Sequence, residues 1–336
     1  MKIIKKLIPL FITPLMLIGC NSNKHANIGL LYCSSEANSK YQVNEVSRVL
    51  NEKGLSTRLI PFADSNELSS VLNQAITKVD TLYIPTDNTC ASNTGLINAA
   101  AREKKVPVFA GEEGICSGCG AITLSISYYN IGVKTGSMAV DVLLGKSDIK
   151  SLAIAYDENP VKKYNESFCN EVGITVPSDY KKLDDKSAST AALPSFQNTS
   201  NQSFKIGISQ LVTHDALDAA TRGFKDAVKA GLGEANVTFE EQNAAGDLNT
   251  CNVIATNLVA HNVDLIMANA TPALQAACSA TDLIPILGTS VTEYGVALNI
   301  EDFSGVTGRN VSGTSDLAPL TEQANMLAEV FASFMK

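Results

Sequence analysis

The side chains able to do chemistry in this chain are small, polar and placed where apolar runs end. In one stretch they are Ser34, Ser35 and Asn38, then Thr86, Asp87, Asn88 and Thr89, then Glu112. In another they are Ser209, Gln210 and His214, then Asn243, Thr271, Ser290, Thr292 and Asp316. Each group follows a β-forming run and precedes a helix-forming one. Any one of them read alone is a helix cap, because its side-chain oxygen accepts a free backbone N–H. Read together they are binding groups. A helix start carries unpaired N–H groups and a partial positive charge, and it holds a carboxylate without a basic side chain; residues 34–38 and 270–273 are the best such starts. Few lysines or arginines lie near these turns, so a multiply charged anion lacks counter-charges and a zwitterion does not. Asp87, and after it Glu36 or Glu112, is placed to pair with an ammonium group. The expected ligand is amino acid-like, and Asp87→Ala is expected to weaken binding without lowering the stability of the unliganded protein.

Catalysis needs a nucleophile beside a base, paired carboxylates or a metal site. Of the three histidines, His25 lies near the start, His261 at the end of a helical stretch, and only His214 at one of these turns. There is no GxSxG, HExxH or Walker pattern, and no GxGxxG follows a first strand. The expectation is a protein that is not an enzyme and uses no cofactor and no metal. Cys116-Ser-Gly-Cys119 has CxxC spacing, yet a second pair and a neighbouring histidine are lacking, and Gly118 and Gly120 favour a loop. A local disulfide, inert thiols, and metal or redox work stay open there.

The elements that must position these groups come in two copies. From Asn27 the chain reads NIGLLYCSSEANS, then a helix with Val43, Val46, Val49 and Leu50 on one face and Gly54 as its stop; from Lys205 it reads KIGISQLVTHDALD, then a helix with Leu217, Ala220, Phe224, Ala227 and Val228 inward and Gly231 ending it. Each copy continues through a second strand, a helix, a third strand (VDTLYIPTD; VDLIMANAT), another helix and a fourth strand opened by proline (VPVFAGEE; IPILGTSV). From Ile28 to Pro107, and from Ile206 to Pro285, the interval is 79 residues. Strands separated by helical stretches predict parallel sheets with βαβ crossovers, hence two doubly wound α/β lobes. Between the copies, residues 184–203 hold 11 Ser, Thr, Asn or Gln and no apolar period, which reads as a flexible linker.

The start of the chain, MKIIKKLIPLFITPLMLIGC, has three lysines, a 13-residue apolar stretch broken by two prolines, and Leu17-Ile18-Gly19-Cys20. The stretch is well short of the roughly 20 residues needed to span a bilayer. Residues 1–20 read as a lipoprotein signal peptide, with Cys20 the lipidation site and the mature chain tethered to a membrane outside the cytoplasm. Losing Lys2, Lys5 and Lys6 with it takes the net charge from −8 to −11. Seven cysteines remain, an odd number, so at least one is unpaired. With 336 residues, 45% apolar, 18% charged, no tryptophan and an acidic balance, the composition is that of a globular protein and excludes a nucleic-acid surface, which needs a basic stripe.

The strings KIGISQLVTHDALDAATRGFKDAV, NAAGD, VDLIMANATPALQAA and GRNVSGTSDLAP, with IGLLYCSSEANS, VDTLYIPTDNT, YYNIGVKTGSMAVDVLLGK and NEVGITVP, resemble motifs of the tryptophan/tyrosine-type substrate-binding lipoproteins of ATP-binding cassette transporters. The resemblance covers nearly all of the mature chain. It implies a type I periplasmic-binding fold, two lobes with a hinge and a central cleft, no catalytic activity, and a permease and an ATPase as partners. It implies an aromatic amino acid as a ligand of several members, with Tyr32, Tyr128, Tyr129 and Tyr294 available to stack. The order departs from the family's: residues 27–183 match its second half and 204–336 its first, as a circular permutation gives. On that reading residues 128–145 cross from one lobe to pack on the other, residues 152–156 return, and the C-terminal helix at 317–335 packs toward the lobe of the first segment. A dimer that swaps halves and a truncated tandem gene product are the rival readings of the order. A sensory subunit, or a lipoprotein that reuses the fold in another role, is the alternative to an importer's receptor.

Overall fold

A computed structural model describes residues 27–157, 159–183 and 191–334. The signal segment with Cys20, the histidine at position 25 and the first part of the linker lie outside these residues. The first lobe opens with β1 (Asn27–Cys33), α1 (Ala37–Glu52), β2 (Ser56–Phe62), α2 (Ser65–Ala75), β3 (Thr81–Ile84), α3 (Asn88–Ser92), α4 (Thr94–Lys104), β4 (Val108–Ala110), α5 (Glu113–Cys119) and β5 (Ile122–Ser125). The chain then crosses through α6 (Tyr128–Leu143) and β6 (Ala155–Tyr156), and returns for β7 (Val161–Tyr164), α7 (Glu166–Val172) and β8 (Lys181–Lys182). The second lobe follows as β9 (Phe204–Gln210), α8 (Asp215–Leu232), β10 (Val237–Asn243), α9 (Leu248–Ala260), β11 (Leu265–Asn269), α10 (Thr271–Ala280), β12 (Ile286–Val291), α11 (Tyr294–Leu298) and β13 (Val311–Ser315), and α12 (Leu320–Phe334) ends the described chain.

The first sheet has the order β2-β1-β3-β4-β5-β7-β8 and the second β10-β9-β11-β12-β13-β6. All pairings are parallel except β5 with β7. The central strands are apolar and buried on both faces, as parallel sheets covered by helices require. In each sheet the strand order reverses beside the first strand of the copy, between β1 and β3 and between β9 and β11. Those are the two switch points beyond whose carboxyl ends ligands bind.

Two helices exchange lobes. Helix α6 packs on α8 of the second lobe through glycines on both helices: a Cβ at Gly132 would overlap the Ala220 carbonyl, one at Gly136 the Phe224 carbonyl, and one at Gly223 the Tyr129 carbonyl. Small residues are needed here because the two backbones touch. Helix α8 is capped by Gly233 in a positive-φ conformation, two residues beyond the expected stop, and Gly231 instead lies inside the helix against Val140. Helix α12 joins the first lobe, with Ala324, Leu327 and Phe331 in its core. The Tyr83 hydroxyl donates to Gln323 Oε1 at 2.6 Å, and Gln323 Nε2 donates to the Gly111 and Leu124 carbonyls at 2.9 and 2.8 Å, so this buried amide ties α12 to three strands. The linker lies against the second lobe from Ala191 onward: Ala191 N donates to Asn130 Oδ1 (2.8 Å), Gln197 N to the Gly231 carbonyl (2.7 Å), and the buried Asn198 amide to the Gln202 and Leu232 carbonyls. Its polar side chains thus serve as anchors in this part, where composition alone reads as a flexible joint.

Cys116 and Cys119 sit on helix α5, not in a loop, and all seven cysteines of the described residues are unpaired. Gly118 lies within this helix, where the Thr94 side chain occupies the place that a Cβ would take. Six of the seven are buried, and burial pushes the Cys169 thiol up to about 12 and the Cys116 thiol well above its ordinary range. A thiol-reactive chromogenic reagent is therefore expected to leave these six untouched in the native protein and to titrate them in denaturant. Fast labelling of Cys116 or Cys119 in the native state would contradict this.

Candidate functional site

Helix α3 begins directly after β3, α5 after β4, and α8 after β9, so the turns carrying Asp87, Glu112 and His214 converge where the lobes meet. A small cavity of about 10 Å³, room for roughly one water molecule, lies between them. Thr86, Asp87, Asn88, Ala91 and Glu112 line it from the first lobe, His214 and Leu217 from the second, and Tyr128 and Asp316 from the crossovers. His214 Nε2 lies 3.3 Å from Asn88 Oδ1 and joins the two lobes.

Three carboxyl groups face this cavity in different states of satisfaction. Asp87 caps α3, accepting Cys90 N–H at 2.8 Å, and its other oxygen accepts Cys33 N–H at 2.6 Å. Glu112 caps α5 through the N–H groups of Gly114 and Ile115. Asp316 accepts the Tyr128 hydroxyl on Oδ2 at 2.9 Å, while its Oδ1 is buried with no partner. Burial pushes Glu112 up to about 7 and Asp316 up to about 6, the first against the pull of two backbone N–H groups and the second against the Tyr128 and Thr292 hydroxyls. Burial, then the neighbouring Glu36, raises Asp87 as well. Burial lowers His214 to about 4, so its imidazole is neutral. No lysine or arginine lines the cavity.

The remaining turn residues have other places. Ser34 and Ser35 donate to the Phe62 and Ala63 carbonyls and hold the β1 turn to β2, away from the cavity. Asn38 donates to the Thr86 carbonyl, which also accepts from Gln42. Glu36 accepts from the backbone and side chains of Asn88 and Thr89, so it is this carboxylate that fills the start of α3. Asn243 is exposed in its own turn, accepting Ala245 N–H. Gln210 is spent on Asp218, the Val212 carbonyl and the Thr221 hydroxyl, fixing α8 to β9. Ser209, Thr271, Ser290 and Thr292 are buried at the strand ends of the second lobe but do not line the cavity; the oxygens of Ser209 and Ser290 lack partners, and Thr292 reaches Asp316. Of the four tyrosines available to stack, Tyr32 belongs to the first lobe's core, Tyr294 packs on Gly288 and Gly313 with its hydroxyl on the Thr314 carbonyl, and Tyr129 turns to Asp226. Only Tyr128 reaches the site. Ala91 and Leu217 line the cavity without any polar signal in the sequence.

A larger cavity of about 670 Å³ opens on the hinge side, lined by Ser127, Asn130, Lys134, Asp157, Lys163 and Ala191 among others. Three of its charged groups are engaged: Lys163 pairs with Glu113 at 2.7 Å, Asp157 accepts Ser127 and Asn159 N–H, and Lys134 donates to the Tyr156 carbonyl, while Lys181 is exposed at its rim. The smaller cavity, lined by the residues that follow β3, β4, β9 and β13 and by a carboxyl group with one unpartnered oxygen, is the candidate site.

Because Asp87 holds two buried N–H groups, the stability expectation for its removal changes. Asp87→Ala is expected to destabilise the unliganded protein by about 2–4 kcal/mol, from the lost cap and the stranded Cys33 N–H. Urea unfolding of the two proteins measures it; equal midpoints would refute the capping role.

The model of the ABC transporter substrate binding protein family matches residues 17–187 and 205–335. The chain belongs to that family. Substrate-binding proteins of ABC transporters are extracytoplasmic and bind small-molecule ligands, and among the described residues no helix is long and apolar enough to cross a membrane. Among curated proteins, this substrate-binding protein is 35% identical over 140 residues to a tyrosine-binding protein of Clostridioides difficile, a match that spans 40% of this chain and 39% of that relative's length. A glucose-galactose binding protein from Geobacillus stearothermophilus superposes with a TM-score of 0.60 over 92% of each chain at 12% identity, which shows the shared type I periplasmic-binding fold. An ABC domain from Streptococcus pneumonia in complex with L-Trp is 28% identical over 47% of this chain and 56% of its own, with a TM-score of 0.42.

Proposed function

We propose that this chain is the lipid-anchored, extracytoplasmic receptor of an ABC importer, which closes its lobes around an amino acid and holds the ammonium group on Asp316. The carrying observation is the Asp316 carboxyl, which lines a cavity between the lobes and keeps its Oδ1 buried without a partner; the cavity has room for about one water in this conformation, so the lobes part to admit the ligand. A buried acceptor with no donor is costly to keep, and a cationic donor from the ligand satisfies it. Asp87 and Glu112 hold their helices and add negative potential. Leu217, Ala91 and the Tyr128 ring are the apolar surfaces nearest the bound group, and the relative named for tyrosine binding supports an aromatic side chain. The role is binding rather than turnover: His214 faces the Asn88 amide, not a nucleophile.

Cys20 carries the lipid in this reading, and a permease with its ATPase receives the closed form. The halves stand in permuted order, a reading supported by two separate family matches divided at the linker and by relatives of 28–35% identity that align with less than half of the chain. The two-fold repetition of lobe topology makes such a reordering physically mild, since either copy can come first around the same hinge. Calorimetric titration with the twenty amino acids, L-tyrosine first, tests the binding assignment. Saturable binding of one or a few of them is expected; silence toward all of them together with binding of a sugar would overturn it.

A further inference from the structure

Proton traffic at the site follows from the way the lobes bring its acids together. We propose that closure of the lobes takes up protons on Asp316 and Glu112, and that a ligand ammonium group displaces those protons, so ligand and proton compete for one carboxylate cluster. The second half rests on the amino-acid reading above; the first does not.

The geometry is a cluster of three acids on separate elements. Asp316 lies in the crossover after β13, Glu112 at the end of β4 and Asp87 at the end of β3, all buried around one small cavity. The titratable groups that face them are acidic or neutral. Asp87 meets Glu36, Cys33 and Cys90; Glu112 meets Glu113 and Asp316, with Asp215 against its helix start at Gly114; Asp316 meets Tyr128 and, more distantly, Tyr294 and Glu112. His214 across the gap is neutral. Lys163, on the neighbouring cavity, is committed to Glu113. An acidic cluster alone indicates no ligand, but Asp316 lines this cavity and its Oδ1 is a buried acceptor without a donor.

The direction of the coupling is set by which state binds more protons. With the lobes apart, solvated carboxyls have their ordinary value of about 4; in the described conformation, where His214 meets Asn88 across the gap, burial pushes Glu112 up to about 7 and Asp316 up to about 6. Between those limits the closed form binds more protons, so closure without ligand strengthens as pH falls from 8 toward 5. A ligand ammonium prefers the ionised cluster, so its affinity rises over the same range as pH increases, by at most about tenfold per pH unit for each proton displaced.

Small-angle X-ray scattering of the unliganded mature protein between pH 8 and 5 reads the first half. The radius of gyration is expected to fall with pH in the wild type and to be small and flat in Asp316→Asn/Glu112→Gln, with Asp316→Asn alone as the milder variant and circular dichroism confirming that each is folded. A pH-independent radius in the wild type, or the same pH response in the neutralised variants, overturns the coupling. Calorimetry with L-tyrosine at pH 6.5 in phosphate and in Tris reads the second half. A buffer-dependent heat corresponding to about one released proton supports it, and equal heats in both buffers overturn it. If the scattering transition occurs while no amino acid binds, the amino-acid assignment falls and proton-coupled closure stands.

Discussion

Asp316→Asn is expected to weaken amino-acid binding by roughly 100-fold, about 3 kcal/mol, the usual size of effect when one member of a buried charge pair is neutralised. The substitution keeps the shape of the side chain and an acceptor for the Tyr128 hydroxyl, so packing is undisturbed. It removes the negative charge that the ligand ammonium needs. Without ligand the sign reverses, because a carboxylate pushed up to about 6 by burial is held at a cost at neutral pH. The unliganded variant is therefore expected to melt no lower than the wild type, and higher at pH 8 than at pH 5 relative to it. Calorimetry and thermal denaturation together decide the matter. Wild-type affinity in the variant would move the ammonium site elsewhere, and a large fall in melting temperature would show Asp316 to be structural.

Gly223→Val is expected to be the most damaging single change outside the site. Its new side chain would run into the Tyr129 carbonyl, and α6 cannot retreat because Gly132 and Gly136 are pressed in turn on the Ala220 and Phe224 carbonyls. Backbone atoms do not yield as side-chain ends do. A loss of about 4 kcal/mol is the scale for overpacking at such a contact, which lowers the melting temperature by roughly 8 °C for a chain of this size. Since Tyr128 is the first residue of α6, the same change is expected to disturb it and with it ligand binding. Gly54→Ala, in open space at the end of α1, is the control: its positive φ makes it mildly destabilising only. Comparable losses for the two would refute the close-approach account.

Much of the architecture was legible because local chemistry repeats. The openings at Asn27 and Lys205, the prolines before β4 and β12, and the equal spacing between them specify two βαβ copies without any tertiary knowledge. That Asp87, Asn88, Glu112, His214 and Asp316 stand at the carboxyl ends of strands was legible too; that these line one cavity while Ser34, Asn243 and Thr271 do not was not. Cap and ligand group look alike in sequence, since both are small oxygen-bearing residues at a helix start, so the roles of these residues were not. Glu36 illustrates the point: it reaches across from β1's turn to fill the start of α3, a contact between residues 52 and 53 positions apart.

The sequence by itself determined the class of the molecule: two doubly wound lobes, acidic turns without counter-charges, and family motifs. Only the tertiary structure decided which acid is free. Asp87 and Glu112 end their strands directly before helices and are consumed by backbone N–H groups, whereas Asp316 enters a crossover with no helix start to cap and keeps one oxygen unpaired. That difference follows from where the chain goes after each strand, because hydrogen-bond satisfaction is settled by neighbours in space, and residue type records only the capacity to accept a bond.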